Sequence, residues 1–295
     1  LFHVLGLNII LNLGLAVGAT IVLRNEFDAA GLLGEIERHG ATIVAGPPNM
    51  WRALSRLEAS ETLVLRGLTV ALSGASSLDP TVAKVMRDVH GVDLREGYGL
   101  TETCGVLCSG FGSDHVDIGS VGPVMPGVEC RLVDADGADV LIGDIGEVWV
   151  RGPMVSPGYW NDEAATERTR SGDWYRTGDL ATVDESGHLS ISGRTKDLVI
   201  VAGFNVHPAE VENVLQAHPA VEAAAVIGVV DGSTGERVSA FVTLNDGVDP
   251  AGVEDQLQAY CRENLARYKV PKRIQVMTEL PLGVAGKLRR RDLSN

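Results

Sequence analysis

Six consecutive residues, Gly97-Tyr98-Gly99-Leu100-Thr101-Glu102, bring together two glycines, a hydroxyl and a carboxylate. Glycine lets the backbone come close to a ligand, a threonine hydroxyl can donate to a phosphate oxygen, and a carboxylate can hold Mg²⁺. Taken alone, the run also fits a tight strand-to-helix turn with Thr101 as helix N-cap. Tyr175-Arg176-Thr177-Gly178-Asp179 ends in a carboxylate suited to accept both hydroxyls of a ribose, and its plainer reading is an exposed β-turn. Fourteen residues after Asp179 stands Gly193-Arg194-Thr195-Lys196-Asp197, followed by Gly203-Phe204-Asn205-Val206-His207-Pro208-Ala209-Glu210. Near the end comes Pro281-Leu282-Gly283-Val284-Ala285-Gly286-Lys287, in which a lone Gly-Lys pair says nothing by itself.

Elements of three textures must position these groups. From Leu1 to about Leu94, apolar strands alternate with amphipathic helices: Ala19–Leu23, Ala29–His39, Thr42–Ala45, Asn49–Leu57, Leu68–Ser73 and Pro80–His90. That alternation argues for a parallel sheet with helices on its faces. From Ser120 to about Ser192, glycines and Asp136-Gly137 or Ser186-Gly187 turns separate short strands such as Glu129–Val133, Gly146–Val150 and Leu189–Ser192, as in a small antiparallel barrel. Beyond Gly193, helix Pro208–Ala217, strands Val221–Val230 and Arg237–Leu244 and helix Gly252–Asn264 read as a compact α+β domain. The expected fold is therefore α/β, with a partial large domain over 1–193 (βα layers 1–119, small β-barrel 120–193) and a smaller α+β domain over 194–295.

With 295 residues, 45% of them hydrophobic and 22% charged, the chain can build real cores. Its formal charge of −14 repels nucleic acid and anionic membrane surfaces, so nucleic acid is excluded as a partner. A polyanionic substrate must then be held locally, by a few placed cations and backbone amides. Four cysteines with no C-x-x-C spacing point to a reduced, cytoplasmic setting, and Cys104 with Cys108 makes a poor zinc site. Val4 to Leu23 is nearly free of charge, yet Gly6, Asn8, Asn12, Gly14 and Gly18 interrupt it. A buried helix followed by a buried strand is expected there rather than a membrane span; peripheral membrane contact and oligomeric state stay open. The chain starts at Leu1 in mid-pattern, which suggests a fragment.

In order and spacing, these segments resemble the core motifs of the adenylate-forming superfamily, which includes acyl-CoA synthetases, aryl-CoA ligases, luciferases and peptide-synthetase adenylation domains. Leu72-Ser73-Gly74-Ala75 looks like its adenine-contacting strand end, and Leu1-Phe2-His3-Val4 like the segment beside its acyl pocket. The resemblance implies an ATP-dependent, AMP-forming acid–thiol ligase that takes a carboxylic acid, ATP and coenzyme A, with Mg²⁺. Lys287, Thr101 and Glu102 would be catalytic, Glu102 as the Mg²⁺ ligand. Gly74, Ala75, Gly97, Tyr98, Gly99, Thr101, Asp179, Arg194 and Lys287 would bind ATP or AMP. Lys196 would be the hinge of a mobile C-terminal domain, and Gly203, Phe204 and Asn205 its face toward CoA. His3, Gly97 and Val106 would wall the acyl pocket.

Two departures shape these expectations. The family's phosphate loop should precede Leu1, so the chain alone is expected to be inactive. Ile200 stands where luciferases and many aryl-CoA ligases carry lysine, and with Gly203-Phe204-Asn205-Val206 this favours a medium or long chain fatty acid as substrate. The alternatives are an aryl-CoA ligase, a stand-alone adenylation domain, or a truncated, non-catalytic nucleotide- or partner-binding protein.

Overall fold

The computed structural model describes residue 1 and residues 3–113, 117–232, 234–283 and 288–293. A π-helical stretch, Leu5–Asn12, runs into the short helix α1 (Leu13–Ala16). Helix α2 (Ala29–His39) follows; it starts on the Asp28 carboxylate, which accepts from Gly31 N, and stops at Gly40, whose φ of +59° is open to glycine without strain. Then come β1 (Ile43–Gly46), α3 (Pro48–Ser55), β2 (Val70–Ser73), α4 (Pro80–Asp88), β3 (Leu94–Tyr98) and β4 (Cys108–Ser109). Strands β1, β2 and β3 are parallel in that order, with Gly46 opposite Ser73 and Ser73 opposite Glu96, while β4 pairs antiparallel to β3. Trp51, Leu54, Leu65 and Met86 fill the layer between this sheet and its helices.

The second sheet is built from β5 (Gly122–Pro123), β6 (Glu129–Val133), β7 (Gly146–Arg151), β8 (Arg170–Ser171), β9 (Trp174–Val183) and β10 (His188–Arg194), with helix α5 (Glu163–Arg168) inserted before β8. Its strands run in the order β5-β10-β9-β7-β6, with β8 paired to β9. Leu107, Val148, Val150, Tyr175 and Ala181 lie in its core. The third sheet comprises β11 (Val199–Val201), β12 (Phe204–Val206), β13 (Val221–Asp231), β14 (Gly235–Leu244) and β15 (Arg273–Val276), covered by α6 (Pro208–Gln216) and α7 (Val253–Asn264). The chain packs into two compact units, Leu1–Thr177 with Ala181–Ile191 and Gly178–Leu180 with Ser192–Asn295.

One expectation fails at the start of the chain. Ala19–Leu23 is not a strand, and no residue from Leu5 to Ala16 is buried. Leu13, Leu15, Val17 and Leu23 are instead exposed. β-Branched residues make a strand only when a neighbouring strand satisfies their backbone groups, and no ladder reaches 19–23 among the described residues. Elsewhere the helical and strand periods land within a few residues of the observed elements. Strands β4, β5, β11, β12 and β15, of two to four residues each, were too short to show a period.

Leu257 is fully buried on α7, in the core of the second unit. Leu257→Ala removes three carbons from that core and is expected to lower stability by about 2–5 kcal/mol. Denaturant unfolding of the intact gene product, followed by far-ultraviolet circular dichroism, measures the loss.

Candidate nucleotide site at the strand ends

The carboxyl ends of β1, β2 and β3 share one edge of the first sheet, where ligands of open parallel sheets ordinarily bind. There Gly74 N donates to Gly46 O at 3.2 Å, and Ala75 stands at φ +77°, a strained left-handed conformation for a residue with a Cβ. A Cβ on Gly74 would lie 3.6 Å from Leu5 Cδ2 and 3.7 Å from Gly97 O. His3 Nδ1 accepts from Leu5 N at 3.2 Å, so His3, Gly74 and Gly97 are neighbours through Leu5. Asn8 adds a second tie, its amide donating to Cys104 O at 2.8 Å.

The loop after β3 is packed on itself. Leu107 N donates to Tyr98 O at 2.7 Å and Gly105 N to Leu100 O at 3.2 Å. A Cβ on Gly99 would fall 1.5 Å from Gly105 O and 2.9 Å from Val106 Cα. Gly99 is therefore demanded by the chain's own backbone, whereas a Cβ on Gly97 would meet ordinary contacts at 3.5 Å or more. The simple strand-to-helix turn does not occur: residues Thr101–Thr103 make one 3₁₀ turn, and the residue at its cap position is Leu100. Thr103 supplies the capping hydroxyl, accepting from Leu100 N at 3.0 Å, which leaves Thr101 exposed. Tyr98 is half-buried against the core of the second sheet.

Glu102 is held at both ends. Its backbone carbonyl accepts from Ser156 N at 2.7 Å and its Oε1 from the Tyr159 hydroxyl at 2.8 Å. A single hard carboxylate suits Mg²⁺, which takes most of its ligands from phosphates and water. Among the described residues no three His, Cys, Asp or Glu side chains gather into a metal cage. Tyr159 and Glu96 escaped the sequence reading. Tyr159 lies 57 residues from Glu102, and nothing in the sequence joins them. Glu96 adjoins the glycine motif, but its burial is a property of the sheet.

In the second unit, Asp179 sits within β9 rather than in an exposed turn, and its side chain is nearly buried. Arg194 Nε meets Asp179 Oδ1 at 2.8 Å, and Thr195 Oγ1 donates to Gly178 O at 2.9 Å. Lys196 is exposed in a 3₁₀ turn, Thr195–Asp197. Gly203, Phe204 and Asn205 are exposed at the tip of the β11–β12 hairpin, where Val201 pairs with Phe204. Its two turn residues, Ala202 and Gly203, both have positive φ, +50° and +84°, as a tight hairpin requires. Phe204 stacks on Tyr268 with ring centroids 4.8 Å apart, yet stays 57% exposed. Lys287 lies outside the described residues; Leu282 and Leu288 pair across an antiparallel bridge.

Comparison with known proteins shows which family this sheet edge and its loops belong to. The family model described as AMP-binding enzyme matches residues 1–160, and that of the AMP-binding enzyme C-terminal domain matches residues 210–287. The chain belongs to the AMP-binding enzyme family. It is similar to a long-chain-fatty-acid–CoA ligase of Yersinia pestis, 38% identical over 296 residues that cover 99% of this chain and 52% of that protein. The ATP-bound crystal structure of MatB from Rhodopseudomonas palustris superposes with a TM-score of 0.91 at 33% identity, covering 99% of this chain and 57% of the other. o-Succinylbenzoate CoA synthetase from Bacillus subtilis, in complex with its acyl-adenylate OSB-AMP, gives 0.86 at 32% identity, covering 100% and 59%. The chain thus spans about half the length of the curated relatives it matches.

Glu96 sits under this edge, buried, with its Oε2 accepting from Leu78 N at 3.2 Å and a further bond from the Gly119 amide. Burial pushes its carboxyl from 4.5 up to about 7, against the pull of those two amides. The folded state therefore holds this proton more tightly than the unfolded chain. Its stabilisation is complete below about pH 4.5 and is lost as pH rises through about 7. The group's share of that loss is about 3 kcal/mol at most. Glu96→Gln is expected to flatten this part of the profile, seen as a stability difference between variant and parent that grows from pH 5 to pH 8 in chemical denaturation. A difference independent of pH would exclude titration of Glu96 over that range.

Proposed function

We propose that this chain is the nucleotide- and thiol-handling part of an ATP-dependent acyl-CoA ligase that activates a medium or long chain fatty acid. The observation that carries the reading is the turn at the end of β3, which leaves the Thr101 hydroxyl exposed beside the anchored carboxylate of Glu102. In this reading Gly74, Ala75 and Tyr98 flank adenine, Asp179 accepts from the ribose hydroxyls with Arg194 beside it, and Thr101 donates to the α-phosphate. Mg²⁺ at Glu102 would supply positive charge to the phosphate oxygens.

The chemistry follows in two steps. An oxygen of the acid's carboxylate bonds to the α-phosphorus, and the bond to the bridging oxygen breaks as pyrophosphate leaves with the electron pair. The CoA thiol, giving up its proton, then bonds to the acyl carbon, and AMP departs with the electrons of the acyl–oxygen bond. Both steps build charge at fixed places, so placed donors and cations do most of the work. Lys287 is assigned to the first step, between the acid and the α-phosphate. Lys196 is the pivot between the steps, with Gly203, Phe204 and Asn205 as the face for the pantetheine arm, and His3, Gly97 and Val106 bound the acyl pocket.

A fatty substrate is favoured by the exposed Ile200 and by the long-chain-fatty-acid–CoA ligase relative. The o-succinylbenzoate relative supports an aromatic acid as the second reading. A cytoplasmic setting belongs to the same proposal, since all four cysteines are free thiols.

Two substitutions in the intact gene product test the assignment. Lys287→Ala is expected to lower acyl-adenylate formation about 100-fold or more by removing a cation aimed at transition-state charge, while thioester formation from supplied acyl-adenylate changes far less. Equal losses in both half-reactions would refute the role. Asp179→Ala removes bonds present in ground and transition states alike, so KM for ATP should rise more than kcat falls. Acid-dependent ATP–pyrophosphate exchange over a panel of fatty and aromatic acids reads the first half-reaction and its ATP dependence, and CoA thioester release from supplied acyl-adenylate reads the second; a preference for aromatic acids would transfer the assignment to the second reading.

A further inference from the structure

Tyr159 belongs to none of the groups assigned above, yet its hydroxyl ends 2.8 Å from Glu102 Oε1. It is built to stay there. Tyr159 N donates to Thr166 Oγ1 at 2.9 Å, and the same hydroxyl donates to Asp162 O at 2.9 Å, so the residue is tied to the start of α5. Gly158, at φ +154°, allows this approach, because a Cβ there would fall 2.6 Å from Thr166 Cγ2. Ser156, three residues earlier, straps the same segment to the Glu102 carbonyl, and the Arg170 guanidinium donates to Ser156 O. The Tyr159 and Tyr175 hydroxyls stand 3.4 Å apart, giving a file of Tyr175, Tyr159 and Glu102.

A carboxylate on a flexible side chain loses rotamer entropy when it captures a metal ion. A charge-assisted hydrogen bond to one oxygen fixes the rotamer beforehand while lone pairs remain for an ion, as partners of metal-binding carboxylates commonly do. We propose that Tyr159 is the positioning residue of the metal-binding carboxylate, its phenol holding Glu102 in the orientation that receives the Mg²⁺ bound with ATP. The inference rests on the reading of Glu102 given above.

The test is the Mg²⁺ dependence of ATP binding, measured by titration calorimetry on the intact gene product with Mg²⁺ and with EDTA, beside pyrophosphate exchange as Mg²⁺ is varied. Tyr159→Phe is expected to reduce the strengthening of ATP binding by Mg²⁺ about 5- to 10-fold, leaving the affinity in EDTA within about twofold. The apparent Mg²⁺ requirement should rise by the same factor, with kcat at saturating Mg²⁺ and KM for the acid nearly unchanged; a merely structural role would lower kcat and raise KM as well. Glu102→Gln should remove most of the Mg²⁺ effect, and Tyr159→Phe should add nothing on that background. An unaltered Mg²⁺ dependence in Tyr159→Phe, beside a lost one in Glu102→Gln, overturns the inference and leaves the site reading intact. So does a Tyr159 effect that persists in full on the Glu102→Gln background. If Glu102→Gln itself changes nothing, the reading of Glu102 fails and the inference with it. Should Tyr159→Phe not fold, Thr166→Val, which withdraws the hydroxyl holding Tyr159 N, must lower the Mg²⁺ effect about two- to fivefold, and no effect would count against the proposal.

Discussion

The parallel register of β1, β2 and β3 is the constraint on which the first unit's candidate site depends. With Gly46 opposite Ser73 and Ser73 opposite Glu96, three chain segments leave the sheet side by side. Strands in a parallel ladder end with backbone groups that have no further strand partner, and these edges are where irregular backbone is tolerated. The molecule uses that freedom in two ways. Ala75 takes a left-handed conformation at the end of β2, and residues 99–107 fold into a loop so tight that Gly99 admits no side chain.

Electrostatics under and around this edge is divided by burial. Glu96 is buried, and that desolvation drives its carboxyl upward against the pull of two backbone amides. Glu102, with no such burial, is positioned by a phenol and by the strap from Ser156. Asp179 is nearly as buried as any core residue, and the Arg194 guanidinium lies beside it at 2.8 Å. A buried carboxylate without such a partner is costly, so Arg194 has a structural duty before any contribution to ligand binding.

The second unit repeats the pattern around Arg290. Its guanidinium meets both oxygens of Glu212 at 2.7 and 3.0 Å, donates to Val226 O at 3.2 Å, and reaches Asp197 at 3.6 Å. Burial pushes the Glu212 carboxyl up, and Arg290 pulls it back. This ties the turn at Arg290 to α6, β13 and the turn at Lys196. The β11–β12 hairpin completes the unit, with Phe204 half-exposed on Tyr268.

Much of this was legible in the amino-acid order because local rules decide it. Helices α2, α3, α4, α6 and α7 and strands β6, β13 and β14 carry clear apolar periods, and the glycine run with Thr101 and Glu102 offers residue types that suit a polyanion, although alone it fits a strand-to-helix turn equally well. What the sequence could not decide depends on partners distant along the chain. Ala19–Leu23 has strand composition but no ladder, and the apolar residues before it stay exposed for want of a covering layer. Asp179 stood out as a carboxylate suited to a ribose, with an exposed turn as the plainer alternative, and only β9, lying between neighbouring strands, buries it. Glu96 acquired its raised proton affinity, and Tyr159 its place against Glu102, only when segments up to 57 residues apart were folded together. Side-chain identity and short-range spacing determine which chemistry a chain can attempt; desolvation and long-range hydrogen bonds, which exist only after packing, decide which groups are charged, held and aimed.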